Sequence, residues 1–229
     1  MLPKGNHHPA QASRENGHPE PKLSRASAGR LSLYLRCLDS LLREGHSKVS
    51  SSQLGESLGV SDAQVRKDLA NLGNLGQPGI GYSAADLTAA IRRALGIDRE
   101  WKAVLVGVGN LARALLRYRG FQQQGFRVVA LCDSDAAKIG QTIDGLIIYP
   151  LNHIADVVQS SGAELGILTV PAEAAQTVAD RLAEAGIRGL LNFAPAVLKM
   201  PPGVSLVTVD LTVQLEQLAF LVQWSLNER

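Results

Sequence analysis

From residue 101 the chain alternates short apolar runs with helical stretches, and this pattern constrains its fold more than any other feature. The runs are "KAVLVG", "RVVALCD", "GLIIY", "LGILTV", "RGLLNFA" and "SLVTVD". Alternation of this kind predicts an α/β domain whose mainly parallel sheet carries helices on both faces. "PAEAAQTVADRLAEAG" is the clearest crossover helix, starting after Pro171 and ending at Gly186.

The first of these runs leads into "GVGNLARALLRYRG", where Gly107, Val108, Gly109, Asn110, Leu111 and Ala112 match G-x-G-x-x-G/A between a strand and a helix from about Asn110. In such a loop the first glycine permits a tight turn and the second lets backbone amides approach a pyrophosphate. The small third residue lets helix and strand pack, and the helix N-terminus adds favourable partial charge for phosphate. Asp133 closes the second strand 21 residues after Ala112, where a carboxylate can accept hydrogen bonds from an adenosine ribose. A 2′-phosphate would meet negative charge there, so NAD(H) is favoured over NADP(H). Asp135, or a strand-end cap with no ligand, is the alternative for that acidic role. The expectation for residues 101–210 is a Rossmann-like nucleotide-binding domain.

A dehydrogenase would also need a group that moves a proton with the hydride, commonly a His or a Tyr made acidic by a Lys. His153 is the only histidine after residue 46, and none of Tyr34, Tyr82, Tyr118 or Tyr149 has Lys four residues on. Only 117 residues follow Ala112, which leaves no room for a substrate domain. No catalytic residue is assigned. Cys37 and Cys132 stand far apart with no Cys/His cluster, so no metal site and no disulfide framework is expected. A cytoplasmic location fits, since no run is long enough for a transmembrane helix and the polar start lacks a signal peptide's apolar core.

The N-terminal third has a different texture. Residues 1–83 hold ten Lys+Arg against seven Asp+Glu, and residues 84–229 hold thirteen against fourteen, so a small basic excess lies before residue 84. Residues 1–29, rich in Pro, Gly, Ser and His, are expected to be disordered. Apolar residues at 31, 35, 38, 41 and 42 keep a helical period that ends at Gly45. "SSSQLGESLGVSDAQVRKDLANLG" then divides into two short helices around "GVS", the first from about Gln53 to Leu58 capped by Ser51 or Ser52, the second capped by Ser61. That is a helix-turn-helix. "GNLGQPGIGYS" reads as two short strands and a turn, the wing of a winged helix, and "AADLTAAIRRALG" as a tethering helix. The expected division is a winged-helix domain at 30–85, a linker helix at 86–100, the sheet domain at 101–210 and a terminal helix at 211–229.

On the second helix of the pair, Arg66 and Lys67 project from the middle, while Ser61, Asp62 and Gln64 lie in the first turn, the end that usually faces base edges in the major groove. Arg can pair bidentately with guanine, and Lys, Ser and backbone amides can hold phosphates. At the other end of the chain, "LTVQLEQLAFLVQWSLNER" is apolar around most of its circumference, which calls for a partner surface.

Together these stretches resemble the Rex family of redox-sensing transcriptional repressors, from about Leu31 to Trp224. "SSSQLGESLGVSDAQVRKDLANLG", "GIGY", "GVGNLARALLRYRGF", "LTVPAEAAQ", "GLLNFAP" and "VDLT" occur in the family's order. The resemblance implies a homodimer that binds operator DNA when NADH is scarce relative to NAD+ and releases it when NADH binds, with the nucleotide as a regulatory ligand. It implies that Arg66 and Lys67 contact DNA, to which the first-turn reading adds Ser61 and Gln64. Thr169, Val170 and Pro171, with Asn192, Phe193, Ala194 and Pro195, would line the nicotinamide side. It further implies a switch built from Arg36, Tyr118 and Asp210, in which the aspartate exchanges an ion pair with the arginine for a hydrogen bond with the tyrosine. The terminal helix resembles the family's domain-swapped helix. Two departures stand out: Leu211 where some members carry an aromatic, and a wing, "GQPGIGY", without a basic residue. The alternative to a repressor is an NAD-dependent oxidoreductase fused to a DNA-binding domain.

Overall fold

The computed structural model describes residues 23–73, 75–77 and 81–227. The expected tail, up to residue 22, and the turn of the expected wing at 78–80 lie outside the described residues. Two compact units part between Leu95 and Gly96.

The first unit opens with helix α1, Arg25–Arg43. It starts five residues before the expected boundary, because Ser24 accepts the Ser27 N–H at 3.1 Å and caps the small-residue run after it. Leu31, Tyr34, Leu35 and Leu38 form its buried stripe. Strand β1, Lys48–Val49, precedes α2, Ser51–Leu58. The cap of α2 is Ser50 and not Ser51 or Ser52, since Gln53 stands three residues after Ser50 and its side chain accepts the Ser50 N–H at 2.8 Å in a reciprocal capping box. Gly59, at φ +65°, ends α2. Helix α3, Asp62–Ala70, is capped by Ser61 as expected. The turn between the two helices folds back so tightly that a β-carbon on Gly55 would collide with the Val60 carbonyl.

Strands β2, Gly76–Gln77, and β3, Gly81–Ser83, form with β1 an antiparallel sheet of order β1-β3-β2. Helix α4, Ala84–Leu95, expected to reach residue 100 as a linker, instead belongs to the first unit: it buries Ala84, Leu87, Ala90 and Ile91 and packs on α1.

The second unit contains all six strands read from the apolar runs: β4 (Trp101–Val106), β5 (Phe126–Asp133), β7 (Leu146–Pro150), β8 (Leu165–Leu168), β9 (Gly189–Asn192) and β10 (Ser205–Thr208). A short β6, Thr142–Ile143, adds an antiparallel edge. The sheet order is β10-β9-β8-β4-β5-β7-β6. The chain moves outward from β4 through β5 to β7, then returns to place β8, β9 and β10 on the other side. The order therefore reverses between β4 and β8, and in open parallel sheets ligands bind at the carboxyl ends of the strands at such a point.

Helices α5 (Asn110–Leu116) and α6 (Gly120–Gln123) follow β4, α7 (Ile154–Ser161) follows β7, and α8 (Ala172–Glu184) follows β8. One face of the sheet packs Ala103, Leu105, Leu131 and Ile167 against Val108 and Ala112. The other packs Val104, Val106, Ala130 and Cys132 against α7 and α8. Helix α9, Leu211–Asn227, leaves Leu215, Leu218, Phe220, Leu221 and Trp224 more than half exposed.

Candidate nucleotide-binding site and DNA-facing helix

The two glycines after β4 differ in what the chain demands of them. Gly107 adopts φ +90°, and a β-carbon there would lie 2.7 Å from the Thr169 carbonyl oxygen. The protein's own packing demands that glycine. Gly109 has φ −94° and caps α5 without any side-chain hydrogen bond. A β-carbon on Gly109 would meet nothing within 4 Å. Nothing in the chain requires glycine at that position, and the backbone there stays open to the approach of another group, at the N-terminus of a helix whose first amides favour an anion. Ala112 is fully buried under this turn, where a larger side chain would push helix from sheet.

Asp133 sits beside this loop at the end of β5 and is 6% exposed. Its Oδ2 accepts the Val108 N–H at 2.7 Å and the Lys138 ammonium at 3.1 Å, and its Oδ1 accepts the Asp135 N–H at 2.9 Å. Burial pushes its carboxyl up, but the Asp135 and Val108 amides and Lys138 outweigh it and hold the group below the usual carboxylate range. Asp133 is thus an ionised anchor of the glycine loop as well as a wall of the site. Lys138, which no sequence signal marks, also lies 3.6 Å from Asp135. This edge of the loop therefore carries two carboxylates and one ammonium.

Across the switch point Thr169 donates its hydroxyl to the Gly107 carbonyl at 2.7 Å, which ties the end of β8 to the glycine loop. A cavity of about 500 Å³ opens here. Of the residues read from sequence, Gly107, Gly109, Leu111 and Asp133 line one side of it, and Thr169, Val170, Pro171 and Phe193 the other. Val108 and Ala112 are buried behind the loop. Asn192 is buried too, and its amide is occupied in shaping its own turn, donating to the Ala194 and Ala196 carbonyls at 3.1 and 3.2 Å. Ala194 is buried, whereas Asn110 and Pro195 are exposed. Cys132 is fully buried, and burial pushes its thiol up to about 12.

Tyr118 lies between α5 and α6, half exposed, with its ring edge-on to Phe121 at 5.3 Å. A β-carbon on Gly120 would collide with that ring. Asp210 precedes α9 and accepts the Thr212 and Val213 amides on Oδ1, at 2.9 and 3.3 Å. The third member of the expected switch, Arg36, is an exposed residue of α1 in the first unit.

In that unit, α3 buries Val65, Asp68 and Leu69 and exposes Ala63, Arg66, Lys67 and Ala70. The exposed residues fall at i, i+3, i+4 and i+7, one helical face on which two cations are flanked by alanines small enough to admit a groove wall. Arg66 pairs with Asp62 on its own helix at 2.6 Å, with both side chains near half exposed. Gln64 turns the other way and donates to Asp68 at 3.1 Å. Among the described residues no cluster of three His, Cys, Asp or Glu is placed to hold a metal, and no helix is long and apolar enough to cross a membrane.

Residues 22–70 match a family described as putative DNA-binding protein N-terminus, and residues 98–196 match the CoA binding domain. The redox-sensing transcriptional repressor Rex of Rhodopirellula baltica is 46% identical over 91% of this chain and 88% of its own length. That of Streptomyces coelicolor is 42% identical over 97% of this chain and 83% of its own. Among solved structures, the Rex-family repressor RSP in complex with β-NAD+ and operator DNA superposes with a TM-score of 0.82 at 35% identity, covering 90% of this chain and 93% of that one. RSP in complex with β-NADH gives 0.78 at 33%, covering 90% and 95%.

Proposed function

This chain belongs to the Rex family of redox-sensing transcriptional repressors, and on that premise we propose that it binds operator DNA through α3 and releases it when NADH occupies the cavity at the β4/β8 switch point. The observation that carries this reading is Gly109: a glycine that no contact within the chain requires, at the head of a helix whose first amides have no side-chain cap. The first turn of α5 would hold the pyrophosphate. Asp133 and Lys138 would bound the adenosine ribose, and Thr169 to Pro171 with Phe193 would enclose the nicotinamide half. The nucleotide supplies the signal through the redox state of its nicotinamide ring and is a regulatory ligand, not a co-substrate.

Arg66 and Lys67, from the exposed face of α3, would read and hold the duplex, with Ser61 and its neighbouring amides against phosphate. The protein works in the cytoplasm as a homodimer, with the apolar circumference of α9 covered by a second copy. Only a ligand that prefers one arrangement of the protein can shift DNA binding. The switch of Arg36, Tyr118 and Asp210 is the route by which such a preference would reach α3. Gel retardation with an operator duplex, with and without NADH, tests the reading: retention without the nucleotide and release with it is expected, and retention under both conditions would overturn it.

A further inference from the structure

Among the charged side chains of α3, Asp62, Arg66, Lys67 and Asp68, only Asp68 is buried. It interrupts the apolar seam formed by Val65 and Leu69 and is 1% exposed. Its Oδ2 accepts Arg30 Nε at 2.6 Å and the Tyr34 hydroxyl at 3.0 Å. Its Oδ1 accepts Arg30 Nη2 at 2.7 Å and Gln64 Nε2 at 3.1 Å. Both donors from other elements, Arg30 and Tyr34, belong to α1.

An apolar residue of similar size would fill this seam without stripping water from a carboxylate and a guanidinium, and buried ion clusters are often matched in stability by such replacements. What the cluster supplies is geometry. A bidentate guanidinium and a phenol satisfy one carboxylate in a single arrangement, whereas apolar side chains tolerate a small roll or slide between helices. Arg66 and Lys67 immediately precede Asp68, so any roll of α3 on α1 carries them with it.

We propose that Asp68, gripped by Arg30 and Tyr34, is a positioning residue for operator recognition: it fixes the rotation and register of α3 on α1 and thereby the placement of Arg66 and Lys67 against base edges. Gln64 completes the cluster, and its amide serves Asp68 instead of DNA. This rests on the reading of α3 as the DNA-facing helix. Loss of the cluster lowers discrimination more than total affinity, because phosphate contacts tolerate a small displacement that a bidentate base contact does not.

The full-length wild type is first used to select an operator duplex from random sequence. Failure of the wild type to enrich any sequence would overturn α3 as a DNA reader, and the positioning role of Asp68 with it. Two variants are then compared by fluorescence anisotropy on the selected duplex and on a scrambled duplex of equal length: the triple replacement Arg30→Met, Tyr34→Phe and Asp68→Leu, and the conservative Asp68→Asn. The triple variant is expected to fold, to bind NADH as the wild type does, and to lose about tenfold in its operator-to-scrambled ratio, the scale of one mismatched base pair. Asp68→Asn should lose part of that ratio. An unchanged ratio in either folded variant, with the wild type still selective, makes the cluster merely structural and overturns the positioning role while leaving α3 as the DNA reader. So does failure of both variants to fold, since the cluster would then serve the fold itself.

Discussion

The Asp133 carboxylate accepts the Val108 amide at 2.7 Å, so the end of β5 fastens the glycine loop that follows β4. One residue thus shapes the phosphate turn from behind and walls the cavity in front. Asp133→Ala leaves a buried N–H without its acceptor, which should cost about 1–3 kcal/mol of stability. It should also weaken NADH binding. Asp133→Asn keeps an acceptor for Val108 but turns its NH2 on the Asp135 N–H and loses the charge facing Lys138, so it should recover only part of the stability. Thermal unfolding and NADH fluorescence titration of the two variants separate the roles, and equal destabilisation by both would count against the amide contact.

The two glycines of the loop should part company under the same substitution. Gly107→Ala places a β-carbon 2.7 Å from the Thr169 carbonyl oxygen at φ +90°, a strained position costing about 1–3 kcal/mol. Gly109→Ala meets nothing in the chain and should melt with the wild type, yet lose on the order of tenfold or more in NADH affinity because its methyl group occupies the approach to the pyrophosphate. Wild-type NADH affinity in Gly109→Ala would place the nucleotide elsewhere.

The architecture is largely legible in the sequence because its signals are local. Six apolar runs form six strands, and Ser61 caps α3 as a polar residue before a helical run should. The failures lie where local texture misleads. "RASAG" has the composition of a tail but is the first turns of α1, since Ser24 caps it. Three consecutive serines offer three caps for α2, and only the box partner Gln53 selects Ser50. Lys138 sits in a loop without periodicity, and only the fold brings it to Asp133. Asp68 looks like part of a solvated charge run, "RKD", and its burial depends on Arg30, 38 residues away. The first-turn place of Gln64 does not tell which way its amide points, and in the fold that amide donates to Asp68.

Asp68 also sets an acid limit on the first unit. The hydrogen bonds from Arg30 first, then from Tyr34 and Gln64, outweigh burial and hold its carboxyl below the ordinary value. A depressed folded value contributes stability that is present in full above the unfolded value, about 3.9, and is lost as pH falls through the lower folded one. The stability gap between wild type and Asp68→Asn, followed by circular dichroism, should therefore narrow as pH falls below about 4. Tyr34 gives the opposite limit. Burial first, and then the Asp68 hydrogen bond, push its phenol up to about 12. Its contribution is lost as pH rises from its ordinary value toward that one, and Tyr34→Phe should remove this alkaline loss. A gap that stays constant across the acid range would contradict the assignment.

Asp210 accepts two amides of the first turn of α9. Asp210→Ala should cost about 1 kcal/mol of helix stability, whereas Asp210→Asn retains a capping oxygen. If a second copy covers α9, a frayed first turn weakens the dimer, so sedimentation equilibrium should show a larger dissociation constant for Asp210→Ala than for Asp210→Asn. Identical constants for the two would remove the cap from the account of assembly.

One cavity reads the redox state of a nicotinamide nucleotide, on the function proposed for this chain, and α3 reports it to DNA. Fluorescence anisotropy of the full-length protein on labelled operator, titrated in turn with NADH, NAD+ and NADPH, measures this directly. NADH should release the duplex, NAD+ should leave it bound, and NADPH should act far more weakly than NADH because its 2′-phosphate meets the carboxylates of Asp133 and Asp135. Equal release by NADH and NAD+, or no release by either, would contradict the account.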